Sequence, residues 1–326
     1  MMQPDSAYLP EDNLPEPRRT RRLLRVPGSR IWAWIVLIVA MAACLWATFQ
    51  NFVLSSRGQV LDHAALASAT ARLQSLHEAS VSLLADLPIV VATIAAIGFL
   101  VLTLWRRRWA ASLIVALTFG AANLTTQVLK IALERPDLPN GVPYYTGNSL
   151  PSGHATFATA AFVAMFLLVA PRWRSSVAFI GAIFATVIGV ATFLDGWHRP
   201  ADIVAAYLVV ALWALIGGLI IYRVSRQWNV ISPRSRAQYA SMSEIMLWLM
   251  AVVGLGGALA VVFFSGGVDT LPDNLEGFIP SARWFIFGAL LIGGSASLVF
   301  GVLASFFRWE AGREAPDDVA STSVNR

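Results

Sequence analysis

The chain has 326 residues, of which 57% are hydrophobic and only 13% are charged, and its mean hydropathy is +0.64. This composition is too apolar for a soluble domain and predicts an integral membrane protein. The net charge of +5 does not indicate nucleic-acid binding, because the arginines lie in short segments between apolar runs. Cys44 is the only cysteine, which excludes an internal disulfide and makes a metal-thiolate site implausible.

The amino-terminal part of the chain predicts a tail, a first membrane span and an outer segment. Residues 1–30 are polar and rich in proline and arginine, which favours a disordered cytoplasmic tail. The apolar run 31–53 is long enough to cross a bilayer. Residues 54–84 place leucines among polar residues, which predicts an amphipathic helix or cap on the outer side. His63 and His77 lie in this segment, and we expect both to be solvated and without a chemical role.

Seven further apolar segments bring the prediction to eight membrane spans. They lie at about residues 84–105, 110–134, 151–170, 176–194, 200–222, 245–264 and 284–307. The predicted fold class is an all-α integral membrane helical bundle, with a six-helix core in residues 31–222 and two extra C-terminal spans in residues 223–307. Residues 308–326 predict a second disordered cytoplasmic tail. The last two spans contain glycines that suit close helix packing, namely Gly254, Gly257, Gly288 and Gly294.

The arginines also predict how the spans are oriented. They cluster in the tail before the first span and in alternate connections after it. The positive-inside rule then places both termini in the cytoplasm, as expected for a multi-pass protein of the plasma membrane. Three polar clusters lie at the opposite, outer face. No internal repeat relates the two halves of the sequence, which disfavours a transporter.

The first polar cluster is Lys130 followed by Arg135-Pro136, near the outer end of the third span. Lys130 is the only lysine among 24 basic residues, which invites a chemical explanation. It shares one helical face with three other polar residues, Asn123, Gln127 and Glu134. A polar face on a spanning helix is expected to meet the protein interior or a water-filled cavity. The alternative is that Lys130 anchors the helix by extending its ammonium group to the interface.

The second cluster is Pro151-Ser152-Gly153-His154, at the start of the fourth span. Ser152 stands where a helix N-cap is expected, so the first-turn N–H groups and the helix dipole create an anion site. Gly153 lets a phosphate approach the backbone closely. The alternative is an ordinary capped turn.

The third cluster runs from His198 to Asp202, at the start of the sixth span. Pro200 fits the first helical turn, and Asp202 follows His198 by four residues. A carboxylate there can accept one imidazole N–H and leave the other ring nitrogen free as a nucleophile. The alternative is that Asp202 only complements the helix dipole.

The three clusters together favour an oxyanion site. Two histidines, a carboxylate, two cations and a helix N-terminus are predicted at one membrane face. This combination suits the binding of a phosphate group and stabilisation of the charge that develops on it.

The order of the clusters resembles the three signature motifs of the type-2 phosphatidic acid phosphatase superfamily. The resemblance covers about residues 84–222, and the second cluster is an unbroken match to the second motif. Members of this superfamily are membrane lipid phosphate phosphatases related to vanadium haloperoxidases. The resemblance therefore implies a six-helix phosphatase core.

The resemblance also implies a role for each residue in the clusters. His198 would be the nucleophile that forms a phosphohistidine, Asp202 would orient it, and His154 would act as general acid on the leaving group. The phosphate would be held by Lys130, Arg135, Ser152 and the backbone N–H of Gly153. This mechanism implies no metal and no other cofactor.

The chain departs from the first motif of the family in its spacing. Fewer residues separate Lys130 from Arg135 than is usual, so Arg135 would point away from Lys130 on a continuous helix. Pro136 is expected to unwind the chain at Arg135, which allows the arginine to turn back.

A second departure concerns the third motif, which usually opens with Ser-Arg. Ala191 and Thr192 stand at those positions, so one phosphate-binding arginine is missing. Arg199 is the candidate replacement if its side chain points inward. The alternative is a charge solvated by lipid headgroups.

The sequence thus predicts a phosphatase that removes a phosphomonoester or pyrophosphate group from a lipid at the outer leaflet. A phosphatidate-like lipid or a prenyl pyrophosphate is the expected substrate, membrane lipids are the other partners, and no nucleic acid is expected. The open alternatives are phosphoryl transfer to another acceptor, non-catalytic binding of lipid phosphates by a scaffold protein, and anion transport. Release of free phosphate distinguishes hydrolysis from all of these.

Overall fold

The computed structural model describes residues 23–72, 93, 96–143, 148–232 and 239–314. The helices in these residues are α1 (Ile31–Phe52), α2 (Ser56–Arg72), α3 (Ala96–Arg106), α4 (Trp109–Ala132), α5 (Gly153–Leu168), α6 (Pro171–Leu194), α7 (Pro200–Val224), α8 (Met242–Phe264) and α9 (Ala282–Trp309). The strands are β1 (Leu23–Arg25), β2 (Val230–Ile231) and β3 (Gly312–Glu314). Of the residues that the structure describes, 75% are helical, which confirms the all-α class.

Local sequence signals explain where several helices begin. Pro171 and Pro200 occupy the first turns of α6 and α7, where the fixed φ of proline fits the helix and its missing N–H costs nothing. Ser152 and Ser241 are the N-caps of α5 and α8, and each hydroxyl accepts a hydrogen bond from a first-turn N–H. The starts of α5 and α7 coincide with the second and third polar clusters.

Helix α7 is the centre of the bundle. It packs against α1, α4, α5 and α9. Within its most apolar stretch 67% of the residues are buried, compared with 11% in α1 and 22% in α8. The apolar side chains of α1 and α8 therefore face outward, as expected of helices in contact with lipid.

Within the part of the chain that the structure describes, six helices are long and apolar enough to cross a membrane, namely α1, α4, α6, α7, α8 and α9. The predicted fourth span corresponds to α5, whose 16 residues extend about 24 Å, less than a hydrocarbon core of roughly 30 Å. It is short because Ser152 caps its start and Pro171 begins the next helix soon after its end. The predicted second span lies partly outside the described residues, and its described part is α3. The helices thus indicate a multi-pass membrane protein, but eight spans are not confirmed.

The last two helices are integrated into the bundle. Helix α9 packs against α2, α6 and α7 as well as α8, and 61% of its most apolar stretch is buried. Gly254 and Gly294 meet where α8 crosses α9, since a Cβ added to Gly254 would lie 2.6 Å from the Gly294 Cα. A Cβ on Gly288 would meet Phe193 at 2.5 Å and Pro200 at 3.0 Å. The predicted role of these glycines in close packing is confirmed, and α9 supports the start of α7.

We expect Gly254→Val to destabilise the bundle, because the new side chain would overlap the backbone of α9. Overpacking of this kind costs about 1–3 kcal/mol or more, since a backbone cannot move aside as a side chain can. The matched control is Gly256→Val on the same helix, where no atom lies within 4 Å of a new Cβ. Thermal unfolding in detergent compares the two variants, and equal melting temperatures would contradict the close crossing.

A small sheet joins the two termini of the described chain. Its strand order is β1-β3-β2, with β1 antiparallel and β2 parallel to β3. The buried carboxylate of Glu310 accepts hydrogen bonds from the Arg25 guanidinium at 3.2 Å and from the Arg30 N–H at 3.3 Å. Strands β1 and β3 lie in the segments 1–30 and 308–326, for which the sequence predicts disorder. That prediction is wrong for these two strands, because backbone pairing and the ion pair between Arg25 and Glu310 hold them in place. Residues 1–22 and 315–326 lie outside the described residues.

Contacts between helix ends divide the bundle into two different ends. One, the α2 end, carries α2, the segment between α4 and α5, and the start of α7. The opposite, arginine-rich end carries the sheet and Arg25, Arg30, Arg106, Arg107, Arg108, Arg172, Arg174, Arg223, Arg226 and Arg308.

Candidate active site

A backbone hydrogen bond between Ser152 and Asp202 joins two helix starts at the α2 end. The Ser152 N–H donates to the Asp202 carbonyl at 2.8 Å. This bond holds the residue before α5 against the first turn of α7. The second and third polar clusters therefore lie side by side, although a complete helix, α6, separates them along the chain.

The start of α5 lies beside the only lysine. Ser152 is buried, and its hydroxyl accepts a first-turn N–H at 3.4 Å, as an N-cap does. A Cβ on Gly153 would lie 3.8 Å from the Lys130 Nζ, so the ammonium group faces the first turn of α5. The hydroxyls of Thr126 on α4 and Thr156 on α5 are 2.9 Å apart and tie the two helices together. A helix N-terminus and a cation thus converge, which favours binding of an anion.

His198 and Asp202 face each other at the start of α7. The His198 Nδ1 lies 3.5 Å from the Asp202 Oδ2, which is long for a hydrogen bond. The same oxygen accepts the Arg199 N–H at 3.1 Å. Because Nδ1 is turned toward the carboxylate, Nε2 is the ring nitrogen left for another partner.

Arg135 turns back toward the site, as the sequence predicts. Helix α4 ends at Ala132 and Leu133 is extended, with a ψ of 123°, so the chain leaves the helix before Arg135. The Arg135 Nη2 lies 3.4 Å from the Asp202 Oδ1, and both side chains are buried. Among the described residues, Nε and Nη1 of Arg135 have no hydrogen-bond partner. Arg135 therefore compensates the charge of Asp202 and keeps two donors that can bind a phosphate.

The Arg199 side chain points into the protein. It is 6% exposed, and its Nη1 donates to the Ser149 hydroxyl at 3.4 Å in the segment that leads to α5. The alternative of a charge solvated by headgroups does not hold. Thr192, at the position of the missing arginine, is buried, and its carbonyl accepts the His198 N–H at 3.3 Å. Thr192 thus shapes the turn before His198, and Arg199 is the guanidinium beside that turn.

His154 lies next to the turn that carries His198. Its ring centroid is 5.4 Å from that of Trp197, the residue preceding His198. The imidazole of His154 also interacts electrostatically with His198 and Lys130. All eight predicted site residues therefore lie in one region of the α2 end. Their chemical roles stay predictions.

A cavity of about 540 Å³ opens beside the cations of the site. Lys130, Glu134 and Arg135 line it, so two of the four residues of the predicted polar face border a cavity, although Glu134 follows the end of α4 at Ala132. Asn123 and Gln127 do not line it. The face of α4 that meets the protein interior is a different one, formed by Ala111, Ser112, Val115, Thr118, Ala122 and Thr126. The histidines do not line this cavity, which is therefore an approach to the cations and not the whole site.

Two polar residues of α2 support the site, and the sequence analysis missed both. Asp62 is fully buried, and its Oδ1 accepts the Ala201 N–H at 3.0 Å in the first turn of α7. Gln59 donates from Nε2 to the Pro136 carbonyl at 3.1 Å and so holds the segment that carries Arg135. Helix α2 therefore positions both α7 and the segment after α4.

A pattern in the sequence could have indicated that Asp62 is buried. It shares a helical face with Ala65 and Ala69, both of which are buried, so a carboxylate lies on the apolar face of an amphipathic helix. A charge in such a position is rarely buried without a partner or a purpose.

His63 is half-buried, so the expectation of a solvated side chain is wrong for it. The reason is that α2 packs against α6, α7 and α9 instead of lying free on the surface. Burial, with the charges of Arg199 and Arg135, lowers the pKa of His63 to about 4. His77 lies outside the described residues.

The carboxyl group of Asp62 has an unusual environment. Burial raises the pKa of Asp62 to about 7, and the negative charge of Asp202 acts in the same direction. Among the described residues its Oδ2 has no hydrogen-bond partner. Asp62 therefore stays protonated in the folded protein at pH values at which the unfolded chain has already ionised it.

We expect Asp62→Asn to gain stability relative to the wild type as the pH rises from about 4 to about 7. In this window the folded wild type binds one more proton than the unfolded chain, so its stability falls with increasing pH. The difference should reach up to about 4 kcal/mol and then stay constant above pH 7. Asparagine keeps an oxygen that can accept the Ala201 N–H.

Thermal unfolding of both proteins in detergent at several pH values measures this difference. The control is Glu276→Gln, which removes an exposed carboxylate at the same end of the bundle. A stability difference between Asp62→Asn and the wild type that does not change with pH would contradict the protonated carboxyl group.

Comparison with known families supports the resemblance stated above. Residues 109–229 match the sequence model of the PAP2 superfamily. The match begins with α4 and ends at Asn229, after α7, so it includes all eight predicted site residues but not α2. No curated protein and no solved structure shows a significant match to the chain.

Proposed function

Because residues 109–229 match the PAP2 superfamily, whose members are generally phosphatases, we propose that this protein is an integral membrane lipid phosphate phosphatase. It hydrolyses a phosphomonoester or pyrophosphate of a lipid. The observation that carries the proposal is the Ser152–Asp202 hydrogen bond, which brings an anion-binding helix start next to an imidazole–carboxylate pair. That juxtaposition suits attack on a bound phosphate.

In the first step, the lone pair on the His198 Nε2 attacks the phosphorus atom. The bond between phosphorus and the lipid oxygen breaks, and His154 gives its proton to the departing oxygen. The negative charge on the phosphoryl oxygens is stabilised by Lys130, Arg135 and the N–H groups at the start of α5. Asp202 stabilises the positive charge that develops on His198.

In the second step, water attacks the phosphohistidine. His154, now neutral, takes a proton from the water, and the bond between phosphorus and Nε2 breaks. Free phosphate leaves and His198 is restored. Arg199 lies next to His198 and supplies the guanidinium that Thr192 cannot provide.

In the plasma membrane, the distribution of charge supports an orientation with the site at the outer leaflet. The arginine-rich end faces the cytoplasm under the positive-inside rule, which places both termini there. The candidate active site lies at the α2 end, on the outer side. The acyl or prenyl chain of the substrate stays in the bilayer while its phosphate meets the site.

The proposal is tested by a phosphate-release screen of the purified protein in detergent. The substrates are phosphatidate, a prenyl pyrophosphate and a phosphorylated glycolipid, and the expected product of one of them is free phosphate. A phosphorylated acceptor without free phosphate would indicate a transferase. Saturable lipid binding with no turnover of any substrate would indicate a binding protein and overturn the proposal.

A further inference from the structure

A second cavity lies at the arginine-rich end of the bundle. It has a volume of about 740 Å³ and opens between the starts of α6 and α8 and the end of α9. Helix α6, with 24 residues and a length of about 36 Å, separates it from the turn that carries His198. The polar groups that line it are Arg172, Arg174, Ser175, Asn229, Tyr239, Ser241 and Arg308. The cavity is therefore distinct from the candidate active site.

Arg174 is a buried cation that lies over the Trp228 ring, 4.3 Å from its centroid, and has no anionic partner among the described residues. The residue is 4% exposed, and its Nη1 donates to the Asn229 side-chain oxygen. Its Nε and Nη2 have no hydrogen-bond partner among the described residues, and none of the ion pairs formed by those residues includes Arg174. Arg174 also interacts favourably with the Tyr222 side chain, while the nearby Arg106 adds positive charge. Contacts with aromatic rings offset part of the cost of burying a guanidinium, and an anion in the cavity would offset more of it.

The remaining lining strengthens the positive potential of the cavity. Arg172 is exposed at its rim. Arg308 is already paired, since its Nε and Nη2 donate to the Glu244 carboxylate at 3.0 and 2.7 Å. Among the described residues, no carboxylate lines the cavity. Arg172 and Arg174 are therefore left to bind an anion, and their planar forks match the oxygens of a phosphate.

Aromatic side chains at this end indicate that the cavity lies at the depth of the lipid headgroups. Trp173, next to Arg172, is 55% exposed, and Trp32 is 62% exposed. Exposed tryptophans near the ends of spanning helices are typical of the membrane interface. Basic pockets between such helices suit the headgroups of anionic lipids.

From the unpaired guanidinium of Arg174 and the basic cavity around it, we propose a second phosphate-binding site, which takes the headgroup of an anionic phospholipid. The phosphodiester lies between Arg172 and Arg174, and the acyl chains extend along the apolar surface beside Trp173. This site binds lipid and performs no chemistry. It does not depend on the proposed hydrolytic activity.

The test uses Ser175, which lines the cavity, as a reporter of occupancy. Cys44 is the only cysteine, so Ser175→Cys in a Cys44→Ser background carries a single thiol. The rate of N-ethylmaleimide labelling is measured in phosphatidylcholine nanodiscs and in nanodiscs that also contain phosphatidylglycerol. We expect labelling to be about tenfold slower with phosphatidylglycerol, because a site at ten times its Kd is about nine-tenths occupied. Inorganic phosphate is added to the phosphatidylcholine nanodiscs in a separate arm.

Control variants separate binding from a general effect of surface charge. Ser225 lies at the arginine-rich end but outside the cavity. The labelling of Ser225→Cys, in the same Cys44→Ser background, should therefore depend only weakly on the lipid. Arg172→Gln should abolish the protection of position 175, whereas Arg223→Gln, at the same end, should not. Arg174→Gln should abolish it as well, but Arg172 is the primary variant because its side chain is exposed, whereas that of Arg174 is buried.

Each outcome bears on the proposal. Protection by phosphatidylglycerol but not by inorganic phosphate supports a headgroup site. Protection by inorganic phosphate in phosphatidylcholine supports a phosphate site and makes the soluble anion its ligand. Absence of protection in both arms, or protection that persists in Arg172→Gln, overturns the proposal.

Discussion

Replacing His198 with alanine is expected to abolish phosphate release, lowering kcat by about 10⁴-fold or more. The change removes the Nε2 that attacks phosphorus, and Asp202 then has no imidazole to orient. The His198 side chain is buried, with 11% of it exposed, so its loss should also lower the melting temperature. The measurement is phosphate release by the purified variant in detergent, with the substrate identified in the screen.

The companion change His154→Ala should lower kcat by about 10²–10⁴-fold, because the departing lipid oxygen loses its proton donor. The kcat of His154→Ala should fall much less with an aryl phosphate, whose leaving group needs no proton, than with a lipid phosphate. The wild type should show a bell-shaped pH dependence, since His198 must be neutral while His154 is protonated. In His154→Ala, the limb at high pH should disappear.

The control for both histidine variants is Glu276→Gln, which should keep wild-type activity. Thermal unfolding confirms that each variant is folded before its activity is compared. Wild-type-like release of phosphate by His198→Ala or His154→Ala would refute the assignment of that histidine.

The second large effect is expected for Asp202→Asn, which should lower kcat by about 10²–10⁴-fold. The amide keeps an oxygen for the Arg199 N–H but cannot stabilise a positive imidazole. It also leaves Arg135 buried without its counter-charge, and breaking a buried ion pair costs about 3–5 kcal/mol of stability. Activity and melting temperature should therefore both fall.

Arg135→Gln separates these two consequences of the Asp202 change. It breaks the same ion pair but leaves the Asp202 carboxylate facing His198. Because Arg135 is proposed to bind the phosphate, its loss should raise KM more than it lowers kcat. Equal kcat values for Asp202→Asn and the wild type would contradict the orienting role of Asp202.

The sequence is sufficient to predict those parts of the site that depend only on neighbouring residues, such as helix caps and proline positions. Ser152 is an N-cap because a serine before an apolar run satisfies a first-turn N–H, and Pro136 marks the unwinding that lets Arg135 turn back. The spacing of His198 and Asp202 predicts their approach, since both lie at one helix start.

Other features depend on packing between distant segments, which no local rule contains. The direction of Arg199 is set by Ser149, in the segment before α5. The roles of Gln59 and Asp62 depend on α2 packing beneath α7, and an amphipathic pattern alone does not say which surface it covers. Residues 23–25 and 312–314 form strands because β3 pairs with both β1 and β2.

The chemistry at His198 is tested most directly by trapping the covalent intermediate. The wild type, mixed briefly with a lipid substrate labelled in its phosphate and denatured in alkali, should carry label on the peptide that contains residue 198. Acid should remove that label, and His198→Ala should carry none. A wild type that releases phosphate without ever forming this adduct, or that carries the label on another residue, would contradict the account.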